Sequence, residues 1–263
     1  WFPFAEVLYE ATEQYKFYAG IDGGVQLNSY SNLLQQNPFL VSDLVLKPTE
    51  TKYHFYFGLK GDIDQDLKYD VNAGFSQLKN AQFFKANNLF DMVYTLNRSA
   101  YNFANNFSAV YDDGTLSEVK GSVQYFPLQN LVVDAELHFM KFNLKNLNEV
   151  YYKPVLQTTI GAKYSLLDRK LNLGFKGIFV AERTTNSFDI GVDGVVPNQF
   201  SFTENTKKSL PSYLDLNLNA DYKINKNFTV FVMGNNLLNK KYEHYLGCKV
   251  LGAQVLGGIR IAF

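Results

Sequence analysis

The sequence predicts an all-β chain, a transmembrane antiparallel β-barrel wall built as an up-and-down meander of roughly 12–14 strands. Three observations predict it. Apolar and polar residues alternate with a period of two over stretches much longer than the usual strand of about 5–6 residues. Aromatic residues make up 16% of the 263 residues, with 18 Tyr and 23 Phe against one Trp, and such residues favour pleated, half-buried surfaces. Short connections alternate with much longer polar ones, and transmembrane barrels differ in this way between their two ends.

Taken in order, residues 1–10 read as an aromatic strand that Pro3 confines to an end or an edge. Tyr15, Phe17, Ala19, Ile21, Gly23, Val25 and Leu27 then share a face opposite Lys16, Tyr18, Gly20, Asp22, Gly24, Gln26 and Asn28. Residues 29–50 read as a long polar loop. Tyr53, Phe55, Phe57 and Leu59 lead through an acidic turn at 61–65 into Leu67, Tyr69, Val71, Ala73 and Phe75. A loop is expected at 79–88 and a strand at 90–96, which Arg98-Ser99 links to a strand through Phe107, Ala109 and Tyr111. Asp112-Asp113-Gly114 reads as a tight turn, because Asp-Gly tolerates the positive φ that hairpins need.

Val119, Gly121, Val123 and Tyr125 continue to a turn at 126–130, and Leu131, Val133, Ala135, Leu137 and Phe139 return to a loop at 143–154. Ile160, Ala162, Tyr164 and Leu166 reach the Asp168-Arg169-Lys170 turn, answered by Leu171, Leu173, Phe175, Gly177 and Phe179. Residues 183–210 form the longest polar interval. Leu214, Leu216, Leu218, Ala220, Tyr222 and Ile224 precede a turn at 225–227, a strand around Val230 and a loop at 239–250. Val255, Gly257, Ile259, Ile261 and Phe263 share one face of the last strand. No Gly/Ser- or Pro-rich linker interrupts the series, so residues 1–263 are expected to form a single barrel domain without a plug.

A soluble sandwich would also alternate, but with shorter strands. Strand length and the alternating connections favour the barrel. Aromatics at strand ends, Tyr15, Tyr53, Tyr69, Phe75, Tyr125, Tyr164, Phe179 and Tyr222, match the girdles at membrane interfaces. No run of about 18 apolar residues provides a membrane helix. Zero net charge argues against nucleic acid as a partner. Cys248 is the single cysteine, which leaves no intramolecular disulfide. The start, Trp1-Phe2-Pro3-Phe4, lacks the segments of a signal peptide, so either one was removed or the chain begins inside a longer protein.

His54, His138 and His244 are dispersed and lack zinc spacing, although His138 should share a polar face with Glu136 and Asp134. Gly-x-Ser-x-Gly, P-loop and dinucleotide fingerprints do not occur, so neither an enzyme nor a cofactor or metal site is expected.

Asn235-Asn236-Leu237-Leu238-Asn239-Lys240-Lys241-Tyr242, one strand before a Gly257-Gly258 strand ending in Phe263, resembles the Asn-Leu-(aromatic or Leu)-(Asn/Asp)-x-x-Tyr motif of TonB-dependent outer-membrane receptors. Leu210-Pro211-Ser212-Tyr213-Leu214-Asp215 is similar to that family's entry into the preceding strand. The Asn/Tyr/Lys-rich style is most similar to the Bacteroidetes branch. The resemblance implies a cell outer membrane location and a barrel of roughly 22 strands of which this chain is the C-terminal portion. It also implies uptake of a nutrient or metal chelate, energised by TonB around a plug domain encoded upstream. Ile259, Ile261 and Phe263 would form the signal read by the outer-membrane assembly machinery. The partners implied are outer-membrane lipid, that machinery, TonB, the plug and other outer-membrane or surface proteins. Counting strands back from a periplasmic Phe263 places Trp1 on the outer side, an odd count where complete bacterial barrels have an even one. The alternative is a receptor-derived barrel that serves an outer-membrane complex as a structural or assembly partner without transport.

Overall fold

The computed structural model describes residues 1–64, 66–87, 106–192 and 200–262, of which 188–192 and 200–206 are described by their backbone alone. Eleven strands form one sheet in which each pairs with its neighbours antiparallel and in chain order. They are β1 (Ala5–Glu10), β2 (Lys16–Gln26), β3 (Thr49–Ile63), β4 (Leu67–Ala86), β5 (Phe107–Leu128), β6 (Leu131–Leu144), β7 (Leu156–Leu166), β8 (Leu171–Val180), β11 (Tyr213–Lys223), β12 (Phe228–Asn235) and β15 (Gln254–Ile261). β1 and β15 are its edges. The remaining pieces are the hairpin β9 (Arg183–Val192) and β10 (Phe200–Leu210), the small hairpin β13 (Glu243–Tyr245) and β14 (Cys248–Lys249), and the helix α1 (Tyr30–Gln36).

Register turns the alternation of each strand into one continuous surface. Ile21 faces Phe55 and Phe55 faces Phe75; Val71 faces Gly121, which faces Leu137; Ala135 faces Ile160; Leu218 pairs with Phe175, and Val230 with Ile259. Phe57, Val71, Leu137, Ile160, Leu218, Val232 and Ile259 each leave more than a third of their surface exposed. Nothing among the described residues covers this face. A contiguous apolar belt across eleven strands far exceeds the few hundred Å² that a soluble monomer tolerates. A sandwich would bury it under a second sheet, so the belt is built for lipid. The opposite face carries Asp70, Asn72, Glu118, Lys120, Asp134, Glu136 and Lys176 on the intervening positions.

The connections 11–15, 129–130, 167–170 and 224–227 lie at one end, the turn end, together with the C-terminal end of β3 and the N-terminal end of β4. The C-terminal ends of β2, β4, β6, β8 and β12 and the N-terminal ends of β3, β5, β7, β11 and β15 lie at the other, the loop end. The eleven-strand count places the start of β1 at the loop end, as the odd parity of the sequence requires.

Five local expectations are corrected. β4 runs on to Ala86, well into the loop expected at 79–88, and β5 runs straight through Asp112-Asp113-Gly114, which is therefore not a turn. Lys79 and Asn80 together face one residue of β5, because Leu78 pairs with Gly114 and Ala81 with Asp112. That bulge consumes the turn-forming chemistry. Asn80 adopts φ 53°, and its N–H donates to Asp113 Oδ1 at 2.9 Å. Gly114 is needed for space, since a Cβ there would fall 2.4 Å from the Asn143 carbonyl oxygen. The 183–210 interval is a hairpin, 29–50 contains α1 capped by Ser29, and 239–250 contains β13 and β14. The strand expected at 90–96 lies outside the described residues.

At 20 and 22 residues, β4 and β5 outrun an apolar band about 25 Å tall, and their upper parts carry the buried core. Phe84, Ala86 and Phe107 pack there with Leu33, Leu40, Tyr151, Tyr152 and Leu210, while Phe83 packs with Leu78 and Ala81 in a second cluster against Phe142 and Leu144. Asp112, buried beside this core, binds the 145–155 connection. Its Oδ2 accepts from the N–H groups of Asn146 and Leu147, both at 2.7 Å, and its Oδ1 accepts from Asn146 Nδ2 at 2.7 Å. Asp112→Ala leaves those donors unpaired at a cost of about 2–3 kcal/mol. Hydrogen exchange is expected to show amides 146 and 147 losing protection while the wall amides below keep theirs.

Candidate functional site

Two groups of polar side chains stand out, one on the wall and one at the loop end. On the wall, Glu118 of β5 is buried. Its Oε2 lies 2.9 Å from His138 Nε2 and 3.0 Å from Lys120 Nζ. Its Oε1 lies 3.7 Å from His54 Nε2, and His54 Nδ1 lies 3.2 Å from Asp22 Oδ1. β4 separates β3 from β5, so His54 reaches Glu118 only by lying over Gly74, where a Cβ would meet its Nε2 at 2.6 Å. His138 shares its face with Glu136 and Asp134, as period two requires. The Asp22–His54–Glu118 link escaped sequence reading because sheet register creates it; the one local signal is glycine at a polar-face position. Among the described residues, no group of three or more His, Cys, Asp and Glu is placed to hold a metal ion.

At the loop end, a cavity of about 640 Å³ is lined by Phe39, Tyr152, Arg183, Tyr213, Tyr245 and Lys249 among others. Arg183 opens β9. Its Nη1 donates to the His244 carbonyl at 3.1 Å and its Nη2 to the Glu243 carbonyl at 2.6 Å, so it clamps β13 to the hairpin base. The guanidinium lies 5.2 Å from the centre of the Tyr213 ring, and burial lowers its pKa from the usual arginine value. Tyr152 pairs with Thr185 through their hydroxyls, and Tyr245 donates to the Gln36 carbonyl at 2.9 Å, tying the C-terminal loop to the end of α1. Burial pushes both phenols up to about 12. Asn186 brackets Ala86 of β4, accepting from its N–H at 2.9 Å and donating to its carbonyl at 2.8 Å. This anchors the β9–β10 hairpin to the wall.

The Asn235–Tyr242 motif is the lock of this region. Asn236, buried and at φ 48°, donates through Nδ2 to the carbonyls of Lys240 and Leu251 and accepts at Oδ1 from the Lys240 N–H. Its own N–H donates to Asn217 Oδ1 of β11. Leu237 N–H donates to the Leu216 carbonyl, and Asn239 Oδ1 accepts from the Ala253 N–H. Asn235 closes β12 opposite Gln254, and Leu238 stands exposed on the turn. Tyr242 stacks on Tyr213, with ring centres 3.7 Å apart and planes 2° apart, and its hydroxyl donates to Asp215 Oδ2 at 2.7 Å. The Leu210–Asp215 and Asn235–Tyr242 segments, separate in sequence, thus form one contact.

Of the other residues singled out from sequence, Tyr15, Tyr69, Tyr125, Tyr164 and Tyr222 lie at the turn end on the apolar side. Tyr53 and Phe179 lie towards the loop end, and Phe75 lies within the belt opposite Phe55. Ile259 and Ile261 are exposed on the edge strand β15; Phe263 lies outside the described residues.

No protein-family model and no curated protein matches the sequence. Solved structures do match in shape. The pyoverdine outer membrane receptor FpvA from Pseudomonas aeruginosa PAO1 superposes with a TM-score of 0.64 at 15% identity, over 100% of this chain and 36% of its own. The copper transporter OprC gives 0.63 at 16% identity, over 99% of this chain and 38% of its own. The ferric-catecholate import receptor Fiu from K12 E. coli gives 0.62 at 16% identity, over 99% and 34%. The chain thus spans little more than a third of the length of these receptors. Its fold is that of the β-barrel wall of TonB-dependent outer-membrane receptors.

Proposed function

We propose that this chain is the wall of an outer-membrane receptor that takes up a nutrient or metal chelate, with energy supplied through TonB and a plug domain in the lumen. The observation that carries the reading is the division of the sheet: an exposed apolar belt on one face, a polar face behind it, and a set of clamped loops at one end only. Barrels of the outer membrane place their long loops outside and short turns in the periplasm, so the loop end with its cavity meets the medium. Pyoverdine, copper and ferric catecholate are named for the receptors of like fold, and the same class of cargo is inferred here.

Within this reading, Tyr15, Tyr69, Tyr125, Tyr164 and Tyr222 anchor the periplasmic interface, Tyr53 and Phe179 serve the outer one, and Phe75 meets lipid between them. Ile259, Ile261 and Phe263 address the chain to the assembly machinery. Deleting the gene in its source organism is expected to abolish growth on one member of a panel of iron chelates, copper, cobalamin and glycans, and disabling TonB should produce the same loss. Uptake that is unchanged in the deletion strain, with surface proteins missing from the membrane instead, would overturn transport in favour of a scaffold.

A further inference from the structure

Arg183 is only 5% exposed. Two of its N–H groups are taken by backbone carbonyls, which are dipoles and do not cancel a full positive charge. Its Nε has no hydrogen-bond partner, and among the described residues no carboxylate forms an ion pair with it. Of the nearby acids, Glu243 Oε2 accepts from the Gly247 N–H at 3.0 Å, and Asp215 Oδ2 takes the Tyr242 hydroxyl while its Oδ1 has no hydrogen-bond partner. A buried charge lacking a counter-charge costs several kcal/mol, and arginine is seldom left so.

The cavity beside it repeats the imbalance. Its lining includes Arg183 and Lys249 but no Asp or Glu, although the chain has equal numbers of acids and bases and the cavities on the wall face contain Asp70, Asp134 and Glu136. Most of its remaining surface is apolar or aromatic, with Phe39, Tyr152, Tyr213 and Tyr245 beside the neutral polar side chains of Gln36 and Gln157 and the imidazole of His244, and Tyr213 is held in place by its stack on Tyr242. Five remote stretches of chain build it, already joined by the Tyr245–Gln36 and Arg183–Glu243 contacts. Little ordering is left for a ligand to impose. A volume of about 640 Å³ lies within the usual range of small-molecule sites.

We infer that this cavity binds the anionic group of a small organic molecule against Arg183 and Lys249, with a flat apolar body against the rings of Phe39 and Tyr213. The inference deepens the receptor reading and rests on it only for the side from which the ligand arrives.

Benzoate is the probe, with benzamide as its neutral isostere and acetate as the anion without a ring. Binding to the complete protein, purified from outer membranes in detergent, is read by saturation-transfer NMR and calorimetry. Benzoate is expected to bind at least about tenfold more tightly than either control, the ratio for one charge-assisted contact. Arg183→Gln should remove that preference. Lys249 is exposed and holds no buried clamp, so Lys249→Gln should assemble normally and weaken benzoate about threefold. Equal affinity for benzoate and benzamide in the unmodified protein would overturn the inference, a result that needs no variant to fold. So would benzoate binding that Lys249→Gln leaves unchanged. Benzoate binding without nutrient uptake would remove the transport reading and leave the site; uptake without benzoate selectivity would do the reverse.

Discussion

Ile160→Arg is expected to cost the barrel about 2–4 kcal/mol, and Thr159→Arg, one residue away, close to nothing. Ile160 projects from the apolar face of β7 between Ala135 and Gly177 and is half exposed. It stands six residues from the turn end of β7, roughly 20 Å along a strand that tilts at about 45°, and so close to mid-depth of the apolar band. An arginine there places a charge where hydrocarbon offers no solvation. Thr159 points the other way, into a polar cavity with Asp134, Glu136 and Lys176, where a guanidinium meets carboxylates and water. Urea unfolding in lipid vesicles, or loss of the heat-modifiable gel band, measures the difference. Equal behaviour of the two variants would refute the assignment of the belt to lipid.

Asn236→Ala is the second large effect expected, about 2–4 kcal/mol, and its consequence is confined to the loop end. Three side-chain hydrogen bonds are lost, two Lys240 backbone groups and the Leu251 carbonyl are left without them, and alanine must hold a left-handed φ that asparagine tolerates. Asn236→Gly relieves only the backbone term, so it should recover about 1 kcal/mol and no more. Limited proteolysis within 237–252, applied to intact membranes, reports release of the loop. The barrel below should remain folded, because Asn236 lies beyond the β12–β15 pairing that ends at Asn235–Gln254.

These two residues also show what could be read from sequence. The belt was legible because each of its members obeys period two within its own strand, as in the run from Phe17 to Val25 or from Leu214 to Tyr222. The Asn235–Tyr242 motif was legible as a pattern, but its function as a lock on β11 was not, since the receiving groups, Asn217, Leu216 and Asp215, lie in another strand. Lys79-Asn80 and Asp112-Asp113-Gly114 misled for a physical reason. Each has the local chemistry of a turn, and only their position opposite one another makes them two sides of a bulge in an unbroken pair of strands. The β9–β10 hairpin was hidden because its alternation is short, Phe188, Ile190 and Val192 and then Phe200 and Phe202, within a mostly polar interval; side-chain bonds from Asn186 to β4 and from Arg183 to β13 fix its base together with buried Leu210. Arg183 itself carried no sequence signal, because its isolation from acids exists only after five distant segments meet.

The eleven-strand count has a consequence for assembly. Because the count is odd, both edges of the sheet, β1 and β15, run from the loop end to the turn end. Two copies standing the same way up in one membrane would meet at those edges with their strands parallel, whichever edges were joined. The pairing within the sheet is antiparallel throughout, as it is in outer-membrane barrels generally. A self-copy therefore cannot extend this sheet in the pattern it establishes, and any antiparallel neighbour of either edge must run from the turn end to the loop end.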